Sequence, residues 1–510
     1  MTNALAVEHL DVLVVGAGLS GVDAGYHLQA TCPDASYAIF EARDAIGGTW
    51  DIFRYPGIRS DSDMYTLGFP WRPWDGDRAI ADGEDIRNYI VDAATDQGID
   101  KKIRFGHRVL AANWSTADGH WKVTAERVDT GEHIELTAGF LFACSGYYRY
   151  DRGHVPDFAG IDDFDGEVIH PQFWPADFDG TSKNIVVIGS GATAVTLVPS
   201  LVPDAAHVTM LQRSPSYVAA VPYKNPMARG IEKVLPLKWS GPLVRWIAAL
   251  SSQGFFRFSR RFPNVVRSLL LKGVERELPD GYDIGQHFTP TYDPWDQRLC
   301  ADPDGQLFKA IGRGDVTVVT DHIDSFIPGG IRLQSGVELA ADVVVSATGL
   351  ELLFLGGMDI SVDGVTIDPS LILTYKGMML EGVPNLAMAV GYTNASWTLK
   401  CDLTCDYVAR LVRELRRRDM MQATPRNHDR KVTSEPLLGL MAGYVQRSAH
   451  LFPLQGSAAP WRVHQSYLKD YRQMKRGDLI DGALELSNPP REDRSRERAK
   501  VGDGIRSRPN

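Results

Sequence analysis

The chain has 510 residues, of which 44% are hydrophobic and 23% are charged, and its formal net charge is -10 at pH 7. This length exceeds one ordinary hydrophobic core and predicts several domains, while the composition is that of a globular protein. The acidic balance argues against general nucleic-acid binding.

The N-terminal segment MTNALAVEHLDVLVVG has no basic region and no small-residue cleavage site, so we interpret its apolar run as a strand and not as a signal peptide. No apolar stretch reaches the roughly 18 residues that a membrane-spanning helix needs. The five cysteines form no CxxC pair, which disfavours a zinc site or a redox disulfide. We therefore expect a cytoplasmic protein that binds no metal.

The first glycine-rich turn follows a short β-branched strand. Residues 10–15 read LDVLVV and lead into GAGLSG, from Gly16 to Gly21, after which a helix is expected to about Ala30. This is the GxGxxG pattern in the strand–turn–helix context that binds dinucleotides. Gly16 permits the tight turn, Gly18 lets the backbone approach a pyrophosphate, and Gly21 lets the helix pack against the strand. The helix N-terminus then offers free N–H groups to phosphates.

An acidic residue ends the next predicted strand. That strand runs from Tyr37 to Phe40, and Glu41 follows 20 residues after Gly21. A carboxylate at this position accepts hydrogen bonds from ribose hydroxyls and would repel a 2′-phosphate. The first turn therefore predicts a site for FAD or NAD and not for NADP.

A second turn of the same kind begins about 170 residues later. Residues 184–188 read NIVVI and precede GSGATA, in which Ala194 takes the permitted third position. The next predicted strand, 207–211, is followed by Gln-Arg-Ser and has no acid at its end. Arg213 can hold the 2′-phosphate of NADP, and Ser214 can add a hydroxyl. We therefore predict NADPH here; the alternative is a surface arginine at a strand end.

Two such turns predict an α/β protein with two dinucleotide-binding, Rossmann-like domains and a helical insertion. The expected division is an FAD-binding domain over 1–150 and 340–470, an NADP-binding domain over 151–215 and 297–339, and a helical insertion over 216–296. Segment 316–348 has the pattern of a β-meander, and the charged, proline-containing residues 488–510 predict a disordered tail.

The insertion mixes apolar and basic residues from Arg245 to Lys272. Such a mixture can lie on a membrane surface, which leaves peripheral membrane contact open. The alternative, which we favour, is an insertion packed on the nucleotide-binding domain.

A twelve-residue linker restricts the class of reaction that the chain can be expected to catalyse. Residues 164–175 read FDGEVIHPQFWP and match the pattern FxGxxxHxxxWP, and GxWxxxxYPGxxxD is met from Gly48 to Asp61. These patterns resemble those of type I Baeyer–Villiger monooxygenases. Segments such as RYPGIRSDSDMYTLGF, MLQRSP and GYTNASWTLK are similar to the ethionamide-activating monooxygenases of actinobacteria within that family, over about residues 10 to 470.

The resemblance implies the cofactor contacts residue by residue. FAD is expected at Gly16, Gly18, Ser20, Gly21, Glu41, Thr49, Trp50, Asp51, Asp61 and Val109. NADP is expected at Arg59, Ser60, Asp61, Gly189, Ser190, Gly191, Ala192, Thr193, Ala194, Arg213 and Ser214. Many members carry a lysine where this chain has Gln297. Because glutamine lacks the positive charge of lysine, we expect weaker binding of the 2′-phosphate.

The resemblance also implies the reaction, in which one oxygen atom of O2 is inserted next to a ketone carbonyl to give an ester or lactone, with sulfides or thioamides as further substrates. Arg298 is the expected active-site arginine, which stabilises an oxyanion, and Asp61 is expected to orient it. We interpret His170 in the linker as a hydrogen-bonded structural residue and assign it no acid–base role. The alternative function is an N- or S-oxygenating flavin monooxygenase without Baeyer–Villiger activity.

Overall fold

The computed structural model describes residues 7–297, 299–439 and 442–489. The predicted active-site residue Arg298 and residues 490–510 of the predicted tail lie outside the described residues, so both stay predictions.

The described strands form two large sheets and several small ones. In chain order they are β1 Glu8–Val15, β2 Tyr37–Phe40, β3 Ile103–Arg104, β4 His107–Ser115, β5 His120–Arg127, β6 His133–Ala143, β7 Glu167–Ile169, β8 Asn184–Ile188, β9 His207–Gln212, β10 Val218–Val221, β11 Cys300–Pro303, β12 Val316–Thr320, β13 Ile323–Ile327, β14 Gly330–Leu333, β15 Glu338–Ala340, β16 Val343–Ser346, β17 Asp359–Val362, β18 Val365–Thr366, β19 Thr374–Tyr375, β20 Met379–Leu380, β21 Leu386–Met388, β22 Gln422–Pro425, β23 Ser434–Pro436, β24 Leu454–Gly456 and β25 Leu484–Ser487.

The helices pack on these sheets and fill the insertion. In chain order they are α1 Leu19–Thr31, α2 Thr49–Ile52, α3 Met64–Leu67, α4 Gly83–Asp96, α5 Ala192–Leu201, α6 Pro226–Val234, α7 Leu237–Arg261, α8 Pro263–Glu277, α9 Ile284–His287, α10 Gln306–Arg313, α11 Trp397–Arg418, α12 Gly443–Ser448 and α13 Tyr467–Asp470. No described helix combines the length and apolarity that a membrane span requires.

The larger sheet is built around the first glycine-rich turn. Its parallel part has the order β21-β6-β1-β2-β3, and β4, β5, β17 and β18 extend it on the far side of β6. Three consecutive residues of β1, Val12, Leu13 and Val14, are completely buried. A strand covered on both faces by other elements needs such a continuous apolar run, which is why the sequence predicted it.

The smaller sheet is entirely parallel and is built around the second turn. Its order is β12-β9-β8-β16-β7, and β16 pairs with β8 from Val343↔Ile185 to Ser346↔Ile188. The boundary expected at residue 340 lies before β16 and is wrong by this one strand, since β16 completes the second sheet. The β-meander expected over 316–348 is also wrong at both ends: β12 and β16 are parallel strands, and only β13 to β15 are antiparallel. The assignment of each domain to a cofactor stays a prediction.

Two chain segments connect the sheets, the first over 144–166 and the second over 347–358, and they pair with each other. The Arg149 N–H donates to the Glu351 carbonyl at 2.9 Å, and the Leu353 N–H donates to the Tyr147 carbonyl at 2.9 Å. This double connection holds the two glycine-rich turns around one common cavity.

The predicted insertion contains α6 to α9, and its first element is the short strand β10, which pairs with β11. The inner face of α7 packs on α3 and α6, and α8 packs on β10 and α10. The guanidinium of Arg245 donates to the carbonyls of Tyr65, Thr66 and Gly68 at 3.0, 3.1 and 2.6 Å. The first unit is the larger sheet with its helices, and the second unit is the smaller sheet with its helices. The insertion therefore packs on elements of both units, α3 of the first and α10 of the second, and not on the second alone as expected.

Candidate functional site

One cavity of about 1910 Å³ receives residues from both glycine-rich turns. Pockets for a single drug-sized ligand usually measure about 300–1,000 Å³, so this cavity has room for more than one large ligand. Its wall includes most of the predicted site residues: Gly16, Gly18, Ser20, Glu41, Thr49, Trp50, Arg59, Ser60, Asp61, Val109, Gly189, Ser190, Gly191, Ala192, Thr193, Arg213 and Ser214.

The first turn has the geometry that its glycines require. Gly16 has φ +103°, and an added Cβ would lie 2.7 Å from the Cys144 carbonyl oxygen. An added Cβ on Gly21 would collide with the carbonyl oxygen of Gly16. Helix α1 begins after Gly18 with no side-chain cap and no acid in its first turn. Its N-terminal N–H groups are therefore available to an anionic group in the cavity.

Glu41 lies buried on the cavity wall and also holds the turn together. Its Oε2 accepts a hydrogen bond from the Ala17 N–H at 2.7 Å, and its Oε1 accepts one from the Arg43 N–H at 3.0 Å. Each carboxylate oxygen keeps further acceptor capacity, which fits a ribose hydroxyl.

Arg43 is a cavity residue that the sequence reasoning missed. Its Nη2 donates to Asp51 at 2.6 Å, while its Nη1 is buried and finds no hydrogen-bond partner among the described residues. A buried unsatisfied donor on a cavity wall fits an acceptor that a ligand brings. Only its place just after Glu41 could have suggested this role.

Direct contact between Asp51 and FAD was predicted, but Asp51 does not lie on the cavity wall. Its buried carboxylate pairs with Arg43, Arg54 and Arg87 at 2.6, 2.6 and 2.8 Å. The geometry therefore supports Asp51 as a residue that orients Arg43. Gly21 and Ala194 also lie behind the wall, where each lets its helix pack on the preceding strand.

The second turn repeats the first. Gly189 has φ +141°, and an added Cβ would lie 2.5 Å from the Ala347 carbonyl oxygen. An added Cβ on Gly191 would meet no atom within 4 Å, so the backbone is open to the cavity there. Helix α5 begins after Gly191, again without a side-chain cap or a first-turn acid. The N-terminal N–H groups of a second helix are therefore available to an anionic group in the same cavity.

The last residue of β9, Gln212, and the two residues that follow it make different contacts. Arg213 and Ser214 are exposed on the cavity wall, and no ion pair or hydrogen bond engages the Arg213 guanidinium within residues 7–297, 299–439 and 442–489. Gln212 points into the protein, where its amide donates to the His287 carbonyl and to Thr320 Oγ1 at 2.8 and 2.9 Å. An unpaired guanidinium beside a phosphate-binding turn fits a second anionic group, such as a 2′-phosphate.

A loop from the first unit bridges the two turns. Tyr55 hydrogen-bonds to Thr193 of the second turn, and burial raises the pKa of the Tyr55 hydroxyl well above its usual value. Arg59 lies on the same loop, is almost completely buried, and donates to the Ala301 carbonyl at 3.2 Å. This loop brings the predicted residues Arg59, Ser60 and Asp61 to the part of the cavity between the turns.

The linker 164–175 makes contacts that hold its own conformation and its place in the fold. His170 Nε2 lies 3.1 Å from the Gly349 carbonyl, and its Nδ1 accepts a hydrogen bond from the Gln172 N–H at 3.2 Å. Burial lowers the pKa of His170, so the neutral ring is favoured. Phe164 packs edge-on against Phe326. The His170 contact ties the linker to the second connecting segment, and the Phe164 contact ties it to β13. Both agree with the structural interpretation of His170.

An aromatic and polar part of the wall comes from distant segments that the sequence reasoning did not locate. Trp397 Nε1 donates to Ser20 Oγ at 2.9 Å, and Tyr147 packs edge-on against Trp397. Trp295 Nε1 and Asn394 Oδ1 are buried without a hydrogen-bond partner among the described residues, and both residues line the cavity. The segment GYTNASWTLK contains two of these residues, but nothing local marks them as part of a site.

Comparison with known proteins agrees with this geometry. The chain matches the flavin-binding monooxygenase-like family over residues 69–229 and an NAD(P)-binding Rossmann-like domain over residues 14–74. It is 50% identical over 484 residues to the FAD-containing monooxygenase EthA of Mycobacterium tuberculosis, covering 95% of this chain and 99% of that relative. It is 44% identical over 482 residues to the probable FAD-binding monooxygenase AlmA of an Acinetobacter species, covering 94% and 96%.

Solved structures share the fold at lower identity. A steroid monooxygenase bound to NADP has a TM-score of 0.73 at 21% identity, with 94% of this chain and 100% of that chain covered. The monooxygenase OTEMO in complex with FAD and NADP also has a TM-score of 0.73, at 22% identity, with 94% and 99% covered. The predicted α/β fold with two dinucleotide-binding units is confirmed. The chain therefore belongs to the family of flavin-binding, FAD-containing monooxygenases and is an FAD-dependent monooxygenase.

Proposed function

We propose that this monooxygenase is a Baeyer–Villiger enzyme. It converts a ketone, O2, NADPH and a proton into an ester or lactone, NADP⁺ and water, and it also oxidises sulfides or thioamides. The observation that carries the proposal is the complete FxGxxxHxxxWP linker, which is tied by His170 to the second connecting segment beside the cavity.

The first turn is proposed to hold FAD. The backbone at Gly18, which lines the cavity, and the N-terminus of α1 would bind the pyrophosphate, and Glu41 would accept from the ribose. Arg43 is added to the predicted set because its Nη1 is buried and unpaired among the described residues. Bound FAD supplies the oxygen-activating chemistry of the family.

The second turn is proposed to hold NADPH. Gly191 and the N-terminus of α5 would bind its pyrophosphate, and Arg213 with Ser214 would bind the 2′-phosphate. Gln297 also lines the cavity but carries no charge, so the charged contact to that phosphate rests on Arg213.

The cavity wall is proposed to exclude water and to position the ketone. Aromatic residues from separate segments contribute to it, among them Tyr147, Trp295 and Trp397. A dry site strengthens each electrostatic contact to the reacting groups. Arg298, between the cavity residues Gln297 and Leu299 in the chain, is proposed to stabilise the oxyanion on the substrate carbon, with Asp61 as its orienting carboxylate.

The test is product analysis under ¹⁸O2. The FAD-loaded full chain is given NADPH and a panel of linear, cyclic and aryl ketones, with an aryl methyl sulfide in parallel, and mass spectrometry identifies the products. We expect an ester or lactone that contains one ¹⁸O atom. Sulfoxide without ester from any ketone would favour the alternative, an N- or S-oxygenating monooxygenase, and would refute the Baeyer–Villiger assignment.

A further inference from the structure

Helix α7 of the insertion is apolar on two opposite faces. Its inner face buries Val244, Ala248 and Ala249 against the body of the protein. Its outer face exposes large apolar side chains, with Trp239 67% and Leu250 46% exposed. The exposed positions 239, 243, 250 and 258 recur at intervals of four, seven and eight residues, which places them on one side of a helix. This outer stripe has no partner among the described residues.

The stripe continues past the end of α7. The rings of Phe258 and Phe262 lie 5.2 Å apart, and Val265 and Leu269 of α8 are exposed one and two turns later. Contiguous exposed apolar surface of this kind marks a binding face rather than ordinary surface.

The segment that carries this surface has charged residues of one sign only. Segment 233–274 contains no aspartate or glutamate, although the whole chain has a formal net charge of -10. Its basic residues are Lys233, Lys238, Arg245, Arg257, Arg260, Arg261, Arg267 and Lys272. Arg260 and Arg267 pair with Asp296 and Asp293 of the following loop, and Arg245 is buried. Lys233, Lys238, Arg261 and Lys272 are exposed and have no ion pair within the described part of the chain.

The same helix borders the cavity. Ser252 and Phe255 of α7 line it, and Phe255 and Phe256 pack edge-on against Trp295 of the cavity wall. The outer stripe therefore belongs to the element that forms one side of the cavity, so a surface bound to the stripe would lie beside the cavity.

We propose that the outer stripe, Trp239 to Phe258 of α7 with Phe262, Val265 and Leu269, docks on a lipid bilayer that contains anionic lipids. Apolar and aromatic side chains would enter the interface, and the unpaired basic residues would lie near the headgroups. A second copy of the chain fits less well, because a symmetric contact would bring two basic segments together. As a consequence that rests on the proposed function, ketones dissolved in the bilayer reach the cavity directly.

The docking test is vesicle flotation of the FAD-loaded full chain. We expect flotation with vesicles of phosphatidylcholine and phosphatidylglycerol, weaker flotation with phosphatidylcholine alone, and a decrease as salt is raised. The double variant Trp239→Glu/Leu250→Glu should bind the mixed vesicles about tenfold more weakly or worse, because two apolar anchors become anionic. Leu371→Glu is the matched control, since Leu371 is 76% exposed outside the insertion and its replacement should leave flotation unchanged.

A second variant keeps the proposal testable if the first fails to retain FAD. Arg261→Glu/Lys272→Glu replaces two exposed basic side chains and keeps every apolar residue of the stripe. It should weaken binding to the mixed vesicles about tenfold, with little effect on phosphatidylcholine alone. Flotation unchanged in both double variants would overturn the proposal. So would a wild-type dimer, seen by sedimentation, that dissociates in Trp239→Glu/Leu250→Glu without any vesicle binding, since a second copy would then cover the stripe.

The consequence for substrate access has its own readout. A long-chain ketone dissolved in mixed vesicles should be oxidised faster by the wild type than by Trp239→Glu/Leu250→Glu, while a water-soluble ketone should be oxidised equally by both. Equal rates with both ketones would refute access through the bilayer. If no ketone is oxidised at all, the proposed function fails, and flotation still decides the docking.

Discussion

The two glycine-rich turns share their phosphate-binding part and differ at the end of the following strand. In each turn the first glycine has positive φ and lies against a carbonyl, of Cys144 in one case and of Ala347 in the other, and an uncapped helix follows. After the strand, Glu41 is buried and accepts from the turn, whereas Arg213 is exposed and unpaired among the described residues. The shared part fits dinucleotide binding, and the differing part is the basis on which we propose FAD at the first turn and NADPH at the second.

The largest expected effect lies outside both turns. Arg298→Ala should keep FAD binding and NADPH oxidation, which depend on the turns, but should lower ester formation by about 10²–10³-fold through loss of an oxyanion donor. NADPH consumption and ester yield are measured on the same sample. Ester formation at an undiminished rate would remove Arg298 from the reaction.

The third fixed position of each turn, Gly21 in the first and Ala194 in the second, tests how closely helices α1 and α5 must pack on the preceding strand. Gly21→Ala places a Cβ against the Gly16 carbonyl oxygen, so α1 must move away from the pyrophosphate site. We expect reduced FAD content and a loss of about 1–3 kcal/mol in the free energy of unfolding. The opposite change at the matching position, Ala194→Gly, should lower the free energy of unfolding by only about 0.5–1 kcal/mol and leave the FAD content unchanged. Equal FAD content in the two variants would contradict this difference.

We expect Arg213, which follows β9, to decide between NADPH and NADH at the second turn. Arg213→Ala should raise the KM for NADPH by roughly 10- to 100-fold, as expected for loss of a hydrogen bond to a charged group, and should change the KM for NADH little. Steady-state kinetics with both nucleotides provide the measurement. Equal increases for NADPH and NADH would show that Arg213 does not contact a 2′-phosphate.

The smallest expected effect is on the pH dependence of the free energy of unfolding, and it arises from the first unit alone. Helix α1 buries Asp23 and His27, whereas α5 contains no ionisable residue. Burial raises the pKa of Asp23 to about 7, and Asp402 adds to the shift. Burial alone would lower the pKa of His27, but its hydrogen bond to Asp402 and the charge of Asp23 raise it.

The sign of the pH effect follows from these directions. Both groups bind protons more tightly in the folded state. The contribution of Asp23 to stability is therefore lost as the pH rises from about 4 through about 7, and that of His27 is lost as the pH rises above 6.5. Asp23→Asn should therefore reduce the fall in the free energy of unfolding between about pH 5 and pH 8, measured by denaturant titration. Asp92→Asn, on the exposed side of α4 in the same unit, serves as the control. An identical pH dependence in wild type and Asp23→Asn would contradict the raised pKa.

The regular core could be predicted from the sequence, while the cavity wall could not. Strands β2 and β8 have the predicted bounds because buried parallel strands are continuous apolar runs. The same property misplaced β16, since an apolar run does not indicate which of two parallel sheets it joins. Arg43 and Trp295 were missed because their roles depend on a buried donor left unpaired and on contacts between distant segments, which no local spacing records.

The most direct measurement is a crystal structure of the full chain with FAD and NADP bound. We expect the FAD ribose against Glu41 and the adenosine 2′-phosphate of NADP against Arg213 and Ser214, with the flavin and nicotinamide rings in the cavity between the turns. NADP at the first turn, or a 2′-phosphate directed into solvent away from Arg213, would contradict the assignment of the two turns.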